Sequence, residues 1–117
     1  MSTDKVDTIT SASSGTVGRA DSAVRGQHLV LDSSAHPKPD ALTNSEAFLA
    51  SVSSCGVTLI EGYAHEHGIP LRRMEVTIEG VRTAAEQNRF ARVAMSFAFV
   101  GVNQSEAEKL VETYRGR

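Results

Sequence analysis

Tryptophan is absent from this chain, and four Phe and two Tyr are its only aromatics. Without large rings, a core has to be assembled from Val, Leu, Ile, Ala and Met. A core that lean in 117 residues favours help from a second chain. There is a single cysteine, Cys55. It excludes an intrachain disulfide and any zinc site built on cysteine pairs, and it favours the cytoplasm, where thiols stay reduced. No block of one charge sign occurs. Lys and Arg number 12 and Asp and Glu 14, for a net charge of -2, so nucleic acid is not an expected partner. No uninterrupted apolar run reaches the ~18–20 residues that span a bilayer, so a membrane partner is not expected either. The N-terminus lacks a basic segment followed by an apolar stretch, and no secretory signal is read there.

What is present reads as one domain of an ordinary soluble protein. Residues 1–14 are Ser- and Thr-rich and are expected to be a flexible segment, or to carry a first strand over Val6–Thr10. Gly15–Arg19 reads as a short strand and Ser22–Asp32 as a clearer one, followed by a loop through Pro37 and Pro39. Thr43 opens the longest helix. Thr43-x-x-Glu46 is a capping box, with the hydroxyl accepting from a free N–H and the carboxylate reaching back. Phe48, Val52, Cys55 and Leu59 fall on one stripe of this helix. Leu49, Val52, Gly56, Ile60 and Tyr63 fall on a neighbouring one, so it is expected to be buried on more than one side. Gly68 and Pro70 stop it. Alternation over Leu71–Thr83 and Phe90–Gly101 predicts two strands around a turn at Ala84–Asn88. Gln104–Tyr114 reads as a closing helix with Ser105 as its N-cap. Strands, long helix, two strands and helix make an α+β fold, with helices on one face of an antiparallel sheet.

Cys55 admits two readings. A free cysteine is among the most buried residue types and usually packs. A reactive one needs its thiolate stabilised by a cation, because apolar surroundings disfavour the charge. No Lys or Arg lies between Asn44 and Tyr63, so that cation has to come from another element. The candidates are Arg19 and Arg25 on the early strands and Arg72, Arg73, Arg82, Arg89 and Arg92 on the later ones; Arg25, on the strand leading to the loop, ranks first and Arg19 second. For each, an ordinary solvated arginine is the competing reading. Glu46 is fully explained by the capping box, and anchoring an activating arginine is its alternative role. It lies nine residues from Cys55, near the opposite side of an ideal helix. His28, His36, His65 and His67 have no partner at metal-ligand spacing, so no metal is expected. Ser14-Gly15-Thr16-Val17-Gly18 lacks the lysine of a phosphate loop.

The run Asn44-Ser45-Glu46-Ala47-Phe48-Leu49-Ala50-Ser51-Val52-Ser53-Ser54-Cys55 resembles the reactive-cysteine helix of the OsmC/Ohr family of thiol-dependent hydroperoxide reductases. Arg25–Asp32, His67–Pro70, Val76–Gly80 and Phe97–Gly101 agree in order, so the resemblance covers residues 15–117. It implies an intertwined homodimer with a long central helix and sites at the subunit interface. It also implies a peroxidase acting on organic hydroperoxides, with Cys55 as the attacking thiol. In such a site Glu46 orients an arginine, for which Arg25 and Arg19 are the candidates. No bound cofactor is implied; the reductant is an external thiol or dithiol. The family's second, resolving cysteine is missing, and the sequence stops at Arg117 about where that residue is expected to follow. Residues 15–117 are therefore expected to lack the family's C-terminal segment. The alternative function is a non-catalytic dimeric module that binds an apolar small molecule or a protein partner, with Cys55 as packing. A cysteine hydrolase would need a histidine beside Cys55, and none is near it in sequence.

Overall fold

The computed structural model describes residues 4–115. The expectations for Met1–Thr3 and for Gly116 and Arg117 lie outside them. The element order is β1 (Thr10–Ser13), β2 (Arg19–Val24), β3 (Gln27–Asp32), β4 (Leu42–Thr43), α1 (Asn44–Glu66), β5 (Arg73–Val81), β6 (Arg92–Val100) and α2 (Gln104–Arg115). The α+β class is as expected. Among the described residues, the strands form two sheets rather than one: β1-β2-β3-β4 and β5-β6. The chain divides into two compact units, Met1–Phe48 and Leu49–Arg117.

In the first unit, β1, β2 and β3 are antiparallel, and the two-residue β4 joins β3 in parallel. The strand expected over Ser22–Asp32 is instead the end of the first arm, the tip and the second arm of a hairpin. Arg25 and Gly26 form its two-residue turn, with φ of 51° and 76°. Both residues sit in the left-handed region that a tight type I′ hairpin requires. Arg25 is therefore an exposed turn residue and not part of a buried strand. Gly15–Gly18 is also a turn, with φ of 97° and 87° at its two glycines, and β2 begins only at Arg19. The first strand lies at Thr10–Ser13, later than Val6–Thr10. Among its described residues, the buried ones of this unit are polar, Asp32 and Thr43, while Val6, Ile9, Leu29, Val30 and Leu42 are exposed.

In the second unit, α1 and α2 pack with the β5–β6 hairpin around Ile60, Ala64, Met74 and Leu110. The hairpin's inner face pairs Met74 with Phe99, Val76 with Phe97 and Ile78 with Met95, the alternation expected of a half-buried ribbon. α1 begins as expected: the Thr43 N–H donates to Glu46 Oε1 at 2.9 Å, and the Glu46 N–H donates to Thr43 Oγ1 at 3.2 Å. It ends in a Schellman turn. Gly68 takes φ of 64°, and the Ile69 N–H reaches back to the Ala64 carbonyl at 2.9 Å. α2 is capped by Asn103, not Ser105, through a second capping box in which Asn103 Oδ1 accepts from the Glu106 N–H at 2.8 Å.

Only Gly56, Ile60 and Ala64 of α1 are buried within the chain, so this helix is less covered than its sequence suggests. It is also long and apolar enough, by length and composition alone, to cross a membrane. A search for an uninterrupted apolar run passes over this because small polar residues are interspersed.

The stripe through Gly56 faces α2. A side chain at Gly56 would meet the Tyr114 ring at 3.4 Å and the Met95 methyl at 3.5 Å. Tyr114 uses that space to lie on α1 and donate its hydroxyl to the Val52 carbonyl at 3.2 Å. A methyl group just fits there, and alanine favours helix over glycine by up to about 1 kcal/mol. Gly56→Ala should therefore be neutral or mildly stabilising in urea unfolding. Gly56→Leu should lose about 1–3 kcal/mol by overpacking against Tyr114. Equal stabilities for the two variants would contradict this packing.

Candidate functional site

Cys55 precedes Gly56, so it lies about 100° around α1 from the packed stripe. This places it at the edge of the contact with α2 rather than inside it, and it is exposed. There it lines an open groove of about 690 Å³ in the second unit. Cys55 and Leu59 come from α1, Val93, Met95 and Phe97 from β6, and Val111, Tyr114 and Arg115 from α2. The aromatic floor is ordered: Phe97 meets Tyr114 edge to face, with ring centroids 6.2 Å apart. The lining is apolar apart from the thiol, the tyrosine hydroxyl and one guanidinium. A groove of this size and character suits a small ligand with an apolar body.

The arginine in this groove is neither of the two ranked from sequence. Arg115 closes α2, and its ion-pair partner is Glu112 at 3.6 Å, with both side chains 74% exposed. Its placement had a sequence signal. Val111 and Arg115 are four apart, so they share a helix face, and Leu110 and Tyr114 show which side of that helix packs.

The other candidates lie in the first unit. Arg19 stands directly across from Asp32 in the β2–β3 ladder. Its Nε and Nη2 donate to the two Asp32 carboxylate oxygens at 2.7 and 2.9 Å. Its Nη1 and Nη2 donate to Asp40 at 3.0 and 2.6 Å. Two carboxylates thus hold one guanidinium by bidentate, charge-assisted bonds. Asp32 is fully buried and Asp40 is 65% exposed. Hydrogen bonding to Arg19 holds the Asp32 carboxyl below the usual carboxylate range and brings Asp40 down to about 2. The same bonds, to Asp32 first and Asp40 second, drive the arginine's own pKa further up. Arg25 sits on the exposed hairpin turn, and Glu46 is the reciprocal partner of Thr43 in the α1 cap. Arg19 is thus gathered with Asp32 and Asp40, Glu46 with Thr43, and Cys55 with the groove and Arg115. No group of three or more His, Cys, Asp or Glu is placed to hold a metal ion among the described residues.

Two small sheets, a long capped helix and a shorter helix packed on it, with one exposed thiol at the edge of that contact, define an α+β cysteine protein. The chain belongs to the OsmC-like protein family, whose sequence profile matches residues 37–117. The likeness read from the cysteine helix is thereby confirmed. The fold is similar to that of an OsmC-like protein from Mycoplasma pneumoniae, with a TM-score of 0.81 at 16% identity over 98% of this chain and 84% of that one. It is also similar to an organic hydroperoxide resistance protein OsmC from Legionella pneumophila, with a TM-score of 0.72 at 22% identity over 98% and 85% of the two chains. For the organic hydroperoxide resistance protein OhrB of Bacillus subtilis the values are 0.60 and 12%, over 96% and 84%. At such identities the likeness establishes the fold. No curated protein matches the sequence.

The Arg19 clamp makes a pH prediction. Asp32 and Asp40 are held below their unfolded values, so the folded state binds fewer protons than the unfolded one in mild acid. Their stabilising contribution is complete above the unfolded carboxylate pKa of about 3.9 and is lost as pH falls toward about 2. Thermal unfolding followed by circular dichroism should show stability falling more steeply between about pH 4 and 2 in the wild type than in Asp40→Asn. Identical acid slopes would mean that Asp40 contributes nothing.

Proposed function

We propose that this protein is a bacterial, cytoplasmic, thiol-dependent peroxidase. In this reading it reduces organic hydroperoxides to alcohols in oxidative-stress defence, with Cys55 as the attacking thiol. The observation that carries the reading is the exposed Cys55 at the wall of an apolar groove of about 690 Å³. Membership in the OsmC-like family supports it.

The chemistry follows from the thiol. The Cys55 thiolate attacks the distal peroxide oxygen, an S–O bond forms and the O–O bond breaks. Sulfur gives up two electrons, and the leaving alkoxide takes a proton to become the alcohol. Cys55 is left as a sulfenic acid. With no other cysteine in these 117 residues, an external thiol condenses with the sulfenic acid to a mixed disulfide and releases water. A second thiol, or the other arm of a dithiol, then restores Cys55. The apolar walls favour a peroxide with an organic body.

The working unit in this proposal is a homodimer. α1 leaves Phe48 exposed and carries Cys55 and Leu59 on the same stripe. The first unit leaves Ile9, Leu29 and Leu42 uncovered. Apolar surface on this scale calls for a covering partner, and a second copy of the chain accounts for it without a membrane.

One observation favours the non-catalytic module instead. Arg19, a candidate activating cation, is occupied by two carboxylates, and the groove can equally hold an apolar ligand beside an idle thiol. The two readings separate by intact-mass spectrometry of the reduced protein after one equivalent of an organic hydroperoxide, with a sulfenic-acid trap present. The peroxidase reading predicts rapid, stoichiometric trapping that disappears in Cys55→Ser. A folded protein with unmodified Cys55 would leave the binding module as the function.

A further inference from the structure

We infer that the segment from Ser33 to Ala41 is a strap, latched by the Arg19–Asp40 pair, that opens locally while the rest of the first unit stays folded. The inference does not depend on the role of Cys55, and the fastenings it names lie within one unit of one chain. The strap joins β3 to β4. It holds no Val, Leu, Ile, Met, Phe or Tyr, and none of its residues is buried. Polar contacts rather than apolar packing hold it, which is the mark of a segment that opens at low free energy. At its start the Ser33 N–H donates to the Gly18 carbonyl at 2.7 Å. Ser34 fastens it to the first turn of α1. The hydroxyl oxygens of Ser34 and Ser45 are 2.7 Å apart, and the Ser45 N–H donates to Ser34 Oγ at 3.1 Å. Near its far end, Asp40 fastens it to β2 through Arg19.

The two arms of the Arg19 clamp are unequal. Asp32 is fully buried and lies opposite Arg19 in the ladder, so parting the two would leave an uncompensated buried charge. Asp40 is mostly exposed. Water can take over its oxygens, and exposed pairs of this kind hold weakly. The charged groups around Asp40 are Arg19 on β2, Asp32 on β3 and Lys38 on the strap itself. Salt screens the exposed arm far more than the buried one. When Asp40 lets go, Arg19 keeps both bonds to Asp32, and the hairpin is undisturbed. The strap then swings as a stiff piece, because Pro37 and Pro39 fix their own φ angles and restrict the residues before them. Ser34 is carried off Ser45, and a first-turn N–H of α1 passes from a protein partner to water.

The test is amide hydrogen exchange followed by NMR on the full chain at neutral pH. The Ser45 amide reports on the strap, and the β5–β6 amides serve as the internal reference. Asp40→Asn should speed exchange at Ser45 by about two- to fivefold, the range expected for an exposed ion pair. The β2–β3 and β5–β6 amides should not change. Sodium chloride at about 0.5 M, which screens exposed charges, should give a similar rise at Ser45 in the wild type and none in Asp40→Asn. Both effects should be the same at widely different protein concentrations. Equal exchange at Ser45 in the wild type and Asp40→Asn overturns the latch. A rise at Ser45 shared by the β2–β3 amides overturns it too, because the whole unit then opens and not the strap. Protection at Ser45 that grows with protein concentration and ignores Asp40→Asn would mean that a second copy holds the segment, which also overturns it.

Discussion

The second unit depends on how Tyr114 is seated on the Gly56 step of α1. With no side chain at Gly56, the tyrosine ring approaches the helix closely enough to bond the Val52 carbonyl. That contact brings α2 alongside α1, aligns Leu110 with Ile60 in the small core and sets Phe97 edge-on beneath the ring. Cys55 is one residue away. Because successive helix residues are rotated by about 100°, the residue beside the contact is turned out of it. The thiol's exposure and its place on the groove wall are thus consequences of the same packing that holds the two helices together.

The first unit is organised by charge rather than by apolar burial. Asp32 ends β3, lies opposite Arg19 in one ladder and beside Thr43 in the other. A fully buried carboxylate in that position is tolerable only with its hydrogen bonds satisfied, and Arg19 satisfies both oxygens. The clamp therefore joins the hairpin to the loop that carries Asp40 and delivers the chain to the α1 cap. An arginine used this way is a structural residue first. Arg115, by contrast, makes one long and exposed pair, with Glu112.

Much of this arrangement was legible in the sequence where local physics decides it. Both ends of α1 follow from residues within one turn, Thr43 with Glu46 and Gly68 with Pro70, and the alternation of β5 and β6 follows from the pleat. The hairpin at Arg25-Gly26 was not legible, because arginine rarely adopts positive φ and the flanking residues read as one continuous strand. The cap of α2 was misplaced by preferring Ser105 to Asn103, although Asn103-x-x-Glu106 has the same spacing as the box at Thr43. The exposed state of much of α1 was beyond periodicity, which identifies apolar stripes without saying which one the chain itself covers. Which element faces Cys55 across the groove depends on the docking of α2, a tertiary contact that leaves no mark in spacing around the cysteine.

The central claim is that Cys55 in an apolar groove reacts with the peroxide of an organic molecule. The most direct measurement is stopped-flow oxidation of the reduced protein by an organic hydroperoxide and by hydrogen peroxide under the same conditions. The account predicts that the organic hydroperoxide reacts faster by at least about tenfold, a margin that burying a few methylene groups supplies. Equal rates, or faster reaction with hydrogen peroxide, would contradict a role for the groove in choosing the substrate.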